Sequence, residues 1–338
     1  MRYGLLASNR GDFADRTSFP AQSSVLDEAA LLHRVVPEYR LPPVSSCLFF
    51  CRGDSDIYRV VSTEGETFYL KIYRPPHTVE MAEAEGRLVG RLLENGASVV
   101  PAVPRYDGSF ATALPASEGP RAALLFEAAP PGQLDKSDEA ACRRLGEALA
   151  HLHRAADAIE GAPVDPLDPH DNVRFVERLA YEEDYAALQE LKSRIIDRLR
   201  ALSTDASDGD VGWCHADLVP SNIRCREDGS IVFFDFGDAK FMPRDAEMVR
   251  VRGSLRDHDD PQRSDDLWRV LEEAYAGLRP VPGRTGSEER YELLGALWGI
   301  RWIGGVMASC PLRMGIEDFN PDWVRTHLER IRRAINLA

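Results

Sequence analysis

Apolar positions along the chain change their texture near residue 130, and that change divides it. From Cys47 the apolar residues come in short runs: Leu48-Phe49-Phe50 and Ile57-Tyr58-Arg59-Val60-Val61 flank the polar turn Arg52-Gly53-Asp54-Ser55-Asp56. Thr67-Phe68-Tyr69-Leu70-Lys71-Ile72-Tyr73 follows a second turn, Glu64-Gly65-Glu66. Aromatic and β-branched runs bounded by Gly, Asp and Ser predict three antiparallel strands. Before them, Ser24 to Asp27 fits a capping box opening a helix toward Val36. After them, Leu88, Leu92 and Leu93 share one side of a helix that should stop near Gly96, which can take the left-handed cap conformation. Val99-Val100-Pro101 leads back into strands, and Ala122-Ala123-Leu124-Leu125-Phe126 runs into Glu127-Ala128-Ala129-Pro130-Pro131-Gly132, the clearest linker.

Beyond that linker helical spacing dominates. Ser137 can cap a helix whose Ala141, Leu145, Leu149, Leu152 and Ala156 form one apolar stripe. Further helical patterns cover residues 181–202, 265–278, 288–309 and 322–335, and residues 1 to 22 read as a polar lead-in. A strand-rich first part joined to a helix-rich second part predicts an α+β protein with two lobes.

Composition narrows the class. The 338 residues are 44% hydrophobic and 28% charged, as in ordinary globular proteins, and the length suits two packed lobes. A net charge of −14 argues against nucleic-acid binding, which needs surplus Lys and Arg. The six cysteines (Cys47, Cys51, Cys142, Cys214, Cys225 and Cys310) form no C-x-x-C pair or metal spacing, so reduced thiols are expected. No apolar stretch has the length of a signal peptide or a membrane span, so a cytoplasmic protein without membrane association is expected.

The chemistry is concentrated in Trp213-Cys214-His215-Ala216-Asp217-Leu218-Val219-Pro220-Ser221-Asn222, followed by Ile231-Val232-Phe233-Phe234-Asp235-Phe236-Gly237-Asp238. The pattern is H-x-D-x-x-x-x-N, then an apolar strand ending in D-F-G. Phosphoryl transfer needs a carboxylate at the acceptor hydroxyl and oxygen ligands for magnesium beside the nucleotide phosphates. A short loop and an adjacent strand end can supply all three.

On these motifs the chain resembles the aminoglycoside phosphotransferase and choline kinase-like family, related to protein kinases, and especially its bacterial members proposed to phosphorylate proteins in stress responses. The likeness extends over about residues 45 to 310 and implies a bilobal protein-kinase-like fold: an antiparallel-sheet N-lobe over 1–126, a hinge over 127–133 and a mostly helical C-lobe over 134–338. It implies ATP and Mg2+ as cofactors, Asp217 as the catalytic carboxylate, Asn222 and Asp235 as magnesium ligands, and His215 as a brace of the loop. Lys71 would bind phosphate and pair with a helix carboxylate, Glu85 or its rival Glu83. Gly53 and Ser55 would lie in the phosphate-covering turn, although it holds one glycine only, and the backbone at Glu127 and Ala129 would read the adenine edge. The family usually has glycine where this chain has Ala216.

Other histidines invite a blander reading. His151 and His153 are expected to pack or cap, and His170-Asp171-Asn172 is expected to be a turn. The stretch Lys240 to Arg263 carries Arg244, Arg250, Arg252, Arg256 and Arg263 among acids and reads as a long solvated loop that could dock an acceptor beside Asp217. The implied activity is transfer of a γ-phosphate to a hydroxyl, on a small molecule such as an aminoglycoside, amino alcohol or sugar, or on a Ser or Thr of a protein or peptide. The alternative is a catalytically silent nucleotide-binding regulator, which commonly lacks one of the residues that stand here as Lys71, Asp217 and Asp235.

Overall fold

The computed structural model describes residues 24–75, 77–161, 210–257 and 259–282, with isolated helical positions at 190, 193–195, 197, 289, 292–296 and 329. The expected lead-in, the helices expected over 181–202, 288–309 and 322–335, and the His170-Asp171-Asn172 turn lie wholly or mostly outside these residues.

Val44–Arg52 (β1), Ser55–Ser62 (β2) and Thr67–Tyr73 (β3) pair antiparallel, as their sequence predicts. Thr112–Ala116 (β4) and Gly119–Glu127 (β5) complete a sheet of order β1-β2-β3-β5-β4. Alternation along β3 assigns its faces. Leu70 and Ile72 are wholly buried in a core with Tyr58, Val60, Leu125 and Leu31 of the helix Glu28–Arg34 (α1), so Tyr69, Lys71 and Tyr73 point the other way. Val79–Glu94 (α2) follows, and Gly96 adopts φ +85° just beyond it, the conformation expected there.

Two helix starts are corrected by one or a few residues. α1 is capped by Asp27, whose carboxylate accepts from Ala30 N at 2.7 Å, while Ser24 is drawn to Glu118 through its amide (2.9 Å) and hydroxyl (2.7 Å). Glu139–Asp157 (α3) is capped by Asp138, which accepts from Ala140 and Ala141, whereas the Ser137 hydroxyl turns back to Asp135 at 2.6 Å. In both cases a carboxylate next to the helix start takes the cap, where it also meets the positive end of the helix dipole. The predicted α3 stripe is buried throughout, and each of its leucines contributes about 1.5–3 kcal/mol of burial. It packs on Pro261–Ala276 (α5), which starts four residues before the expected Asp265 because Asp260 caps it through Arg263 N.

The segment expected to be a long loop is instead a strand, Lys240–Pro243 (β10), and a helix, Arg244–Leu255 (α4). Arg244, Asp245 and Glu247 are buried in α4, so its inward face carries charges and conceals the helical period. Three short strands finish the second part: Gly132–Gln133 (β6) and Ile223–Cys225 (β8) pair with each other, and β8 also pairs with Ile231–Phe233 (β9). Val211–Cys214 (β7) pairs with β10.

The strand-rich and helix-rich parts are tied by one stretch of backbone. Phe233 N donates to Ser98 O (3.0 Å) and Val100 N to Phe233 O (2.9 Å), while Glu127 N donates to Pro101 O (3.0 Å) and Val103 N to Leu125 O (2.8 Å). A shared core with Val89, Leu124, Leu149, Phe233, Met248 and Leu271 continues across the same region. Among the described residues no helix is long and apolar enough to cross a membrane, and Cys47, Cys51, Cys142, Cys214 and Cys225 are free thiols.

Candidate active site

Two small ladders bring the chemical residues together. β7 and β10 place Cys214 opposite Lys240, so the loop from His215 leaves where the loop after Asp235 returns. β8 and β9 place Ile223 opposite Phe233, and Phe234 N donates to Asn222 O at 3.2 Å. Asn222 and Asp235 therefore sit at the same end of one hairpin.

His215 Nε2 donates to Phe234 O (2.8 Å), and its Nδ1 accepts from Asp217 N (3.3 Å). One bond reaches each loop, so the ring braces both and its proton is assigned to Nε2 by the backbone partners. Asn222 Nδ2 donates to Asp217 twice, to the carbonyl (2.9 Å) and to Oδ2 (3.1 Å). Its amide hydrogens are thus spent on Asp217, and its side-chain oxygen accepts a long bond from the Ser221 hydroxyl at 3.5 Å. Arg250 Nη2 holds the other Asp217 oxygen at 2.8 Å.

Asp235 adopts φ 68° and ψ 63°, a left-handed conformation that Asp tolerates better than most residues. Lys71 Nζ donates to Asp235 Oδ1 at 2.6 Å and to Glu85 Oε1 at 3.3 Å. Glu85 Oε2 accepts from Tyr73 OH at 2.5 Å, and the Lys71 ammonium lies 4.6 Å from the Tyr73 ring centroid. The Lys71 ammonium holds the Asp235 carboxyl below its ordinary value. Burial opposes the charge on Lys71, but Asp235 and Glu85 together hold it well above its usual range. Burial pushes the Glu85 carboxyl up, with Lys71 opposing. A Cβ at Gly237 would lie 2.9 Å from Lys71 Nζ, so only glycine lets this loop approach the ammonium so closely.

The rival carboxylate, Glu83, faces elsewhere: it accepts from Phe110 N (2.8 Å), Ala111 N (2.9 Å) and Arg87 (2.8 Å). In the β1–β2 turn, Arg74 binds the carbonyls of Gly53 and, at 3.0 Å, Asp54. A trans peptide sets each carbonyl opposite the following N–H, so the amides of Asp54 and Ser55 point away from Arg74. Ser55 is buried. Glu127 and Ala129 lie at and just past the end of β5, and the Glu127 amide is already bonded to Pro101 O. On the Lys71 face of the sheet, Ile57 and Leu124 stand opposite Lys71, and Arg59 and Phe126 stand opposite Tyr69. Exposed Phe50 packs edge-on against Tyr69 with centroids 5.4 Å apart. This gives a largely apolar surface beside the ammonium.

Beneath the catalytic loop is a buried network that the sequence did not reveal. Glu247 Oε1 accepts from Ala216 N (2.7 Å), Glu247 Oε2 meets His153 Nε2 (2.7 Å), and His153 Nδ1 meets Tyr275 OH (2.8 Å). His153, Cys214 and Glu247 offer ligand atoms within 4.8 Å of one another, but both histidine nitrogens are already bonded, so the cluster is a hydrogen-bonded core. Ala216 stands at φ 62°, and with Asp235 it makes the pair of non-glycine residues at positive φ among the described residues. Arg74 and Glu247 gave no signal in the sequence, and Arg250 was named there only as one of five arginines in a stretch expected to be a loop beside Asp217; Tyr73, two residues from Lys71 on an alternating strand, was within reach of it.

Asn222 and Asp235 present oxygen donors only, the set a hard divalent cation prefers. The Lys71 ammonium, held by Glu85 and Asp235 beside a largely apolar sheet face, suits a polyphosphate next to a flat base.

The sequence profile of the phosphotransferase enzyme family matches residues 52–281. A protein of Deinococcus radiodurans described as uncharacterized is 34% identical over 309 residues, 89% of this chain and 87% of that one. Among solved structures, an amicoumacin kinase in complex with AMP-PNP and Ca2+ is similar with a TM-score of 0.74 at 16% identity, over 93% of this chain and 94% of that one. A microcompartment-associated aminopropanol kinase has a TM-score of 0.66 at 16% identity, over 91% and 95% of the two chains. At such identities the likeness speaks to the fold, and it shows the α+β kinase-like architecture.

Proposed function

The chain belongs to the phosphotransferase enzyme family, and from that premise we propose that it transfers the γ-phosphate of ATP to a hydroxyl of a small molecule. The observation that carries this reading is the convergence of Lys71, Asp235, Asn222 and Asp217 through direct or one-step contacts. A nucleotide would lie between the sheet and the catalytic loop, against the apolar face beside Lys71, with residues 1–126 above it, 127–133 as hinge and 134–338 below.

Magnesium-bound ATP supplies the phosphoryl group and the neutralisation of its charge. Asn222 and Asp235 would hold the metal. Lys71, fixed by Glu85, opposes the polyphosphate charge. Asp217 orients the acceptor hydroxyl and takes its proton as the new oxygen–phosphorus bond forms and the bond to ADP breaks. The backbone of Glu127 and Ala129 would meet the adenine edge, and the turn at Gly53 to Ser55 the phosphates through the amides of Asp54 and Ser55, since the Gly53 amide is bonded to Ser55 O. The amicoumacin and aminopropanol kinases support a small-molecule acceptor over a protein. Retention of Lys71, Asp217 and Asp235, with Lys71 bonded to Asp235 and Asp217 to Asn222, speaks against a silent regulator.

Purified protein with labelled ATP and magnesium, tested against alcohols, amino alcohols, hydroxy acids and sugars, checks the reading. Asp217→Asn should lower turnover by roughly two to four orders of magnitude and leave ATP binding nearly unchanged. Asp235→Asn should weaken binding as well, since it removes a charged metal ligand. Wild-type turnover in Asp217→Asn, with chemistry rate-limiting, would sink the assignment.

A further inference from the structure

The Lys71 ammonium is shared unequally between its two carboxylates. It lies 2.6 Å from Asp235 Oδ1 and 3.3 Å from Glu85 Oε1, so its nearer partner is the residue that would hold the metal. Once Asp235 is committed to a cation, Glu85 is what remains to hold the ammonium at the phosphates. Glu85 is buried, and Tyr73 accounts for its second oxygen through a hydroxyl that donates to Oε2 at 2.5 Å. Burial, with the Glu85 charge adding to it, holds that hydroxyl well above its usual range, so it stays a donor. Tyr73 is itself fixed at backbone and ring. Arg121 Nε donates to its carbonyl at 2.9 Å, and the His77 ring stacks on its ring at a centroid distance of 4.1 Å and an angle of 10°. The same ring lies 4.6 Å from Lys71 Nζ. Tyr39 and Tyr58, also buried, spend their hydroxyls on the carbonyls of Ala123 and Leu26. Tyr73 spends its own on the carboxylate that holds the ammonium.

We infer that Tyr73 is a positioning residue for phosphoryl transfer: by fixing Glu85 it keeps Lys71 on the nucleotide when Asp235 is taken by the metal. This rests on the phosphotransferase reading above. A carboxylate bonded at one oxygen only, and at 3.3 Å, can rotate about its last side-chain bonds and leave the ammonium to Asp235. The hydroxyl removes that freedom, because a hydrogen bond to an ionised acceptor is among the stronger ones in a protein. The ring face adds a second hold, an attraction that the ammonium keeps whichever carboxylate it favours. Tyr73→Phe removes the first hold and retains the second, so it isolates the hydroxyl. Its effect should appear in nucleotide affinity as a loss of about tenfold, the lower end of what one hydrogen bond to a charged group contributes.

The test measures ATP binding by calorimetry on the full chain, with magnesium and in EDTA. Tyr73→Phe should weaken magnesium-ATP binding about tenfold and ATP binding in EDTA by less than about twofold, because without the metal Asp235 still holds Lys71. In a Lys71→Met background the same substitution should change magnesium-ATP affinity by less than about twofold, since the residue it acts through is gone. Glu85→Gln keeps an oxygen for the Tyr73 hydroxyl but loses the charge, and should reproduce the magnesium-dependent loss. Equal losses with and without magnesium, or a loss of the same size in the Lys71→Met background, would make Tyr73 a packing residue and overturn the inference. Native affinity in Tyr73→Phe overturns it too, as does native affinity in Glu85→Gln, which decides the matter even if Tyr73→Phe fails to fold. A native chain that binds no magnesium nucleotide fails the phosphotransferase reading instead.

Discussion

Replacing Glu247 separates what its two oxygens do from what its charge does. The side chain is wholly buried, accepting from Ala216 N and meeting His153, each at 2.7 Å. Burial depresses the His153 pKa and so favours the neutral ring; with its Nε2–H donating to Glu247, its Nδ1 accepts from Tyr275 OH. Burial opposes ionisation of Glu247, but the hydrogen bond from His153 outweighs it and holds the carboxyl below its ordinary value. Glu247→Ala strands two donors, the Ala216 amide and His153 Nε2–H, at about 1–3 kcal/mol each, and the cavity adds about 1 kcal/mol. The sum, about 3–7 kcal/mol, is a large part of the stability of an ordinary domain. Ala216 would also leave its left-handed conformation, which is unfavourable for alanine by about 1–2 kcal/mol, and Asp217 would move with it.

Glu247→Gln should behave differently. The amide oxygen keeps Ala216 N–H, and the NH2 group can donate to His153 if the ring shifts its proton to Nδ1. Tyr275 then accepts, and only its hydroxyl hydrogen is displaced. The cost should be about 1–2 kcal/mol. Urea denaturation of both variants, turnover, and nitrogen chemical shifts of the His153 ring are the measurements. Stabilities of the alanine and glutamine variants within 1 kcal/mol of each other, or an unchanged His153 tautomer in the glutamine variant, would refute the reasoning.

Gly237→Ala places a methyl 2.9 Å from Lys71 Nζ and 3.3 Å from Glu85 Oε2. The ammonium is held by two carboxylates and yields poorly, so stability should fall by about 1–3 kcal/mol and ATP affinity with it; thermal unfolding and a nucleotide titration check both. His77 stacks on Tyr73 with centroids 4.1 Å apart, and burial, helped by the Lys71 ammonium, lowers its pKa to about 4. The unfolded chain, with a pKa near 6.5, binds more protons than the folded one between those values. The His77 contribution is therefore fully present above pH 6.5 and is lost as the pH falls toward 4. His77→Gln should make the stability curve shallower in that window; an unchanged slope would exclude His77 as its source.

The grouping of the residues proposed to react was legible because their spacing is local. Four residues of loop and one hairpin carry Asp217, Asn222 and Asp235 to one region whatever the rest of the chain does, and strand alternation alone turns Lys71 away from Leu70 and Ile72. Glu85 and Glu83 were not separable, because they differ by about 200° around α2 and only its docking on β3 decides which faces Lys71. The caps at Asp27 and Asp138 were misplaced for a smaller reason: each has a serine close before it, and both residue types accept from the same amides.

The supports beneath the loop were illegible for a reason that also explains what they do. Periodicity finds a helix by assuming that charge faces water, and α4 breaks that assumption on the face that meets the catalytic loop. Glu247 is buried because Ala216 presents an amide that must be satisfied, and that amide points inward because the backbone there is left-handed at φ 62°. Ala216 occupies the place where the family usually has glycine, so this chain accepts strain in the loop and compensates with a charged acceptor in the helix. Arg250 follows from the same register, one turn further along. A helix that binds the loop at Ala216 and again at Leu218 has Asp217 between those points, and Arg250 is the residue that meets its carboxylate. The spacing that identifies the chemistry therefore carries no information about the acceptor.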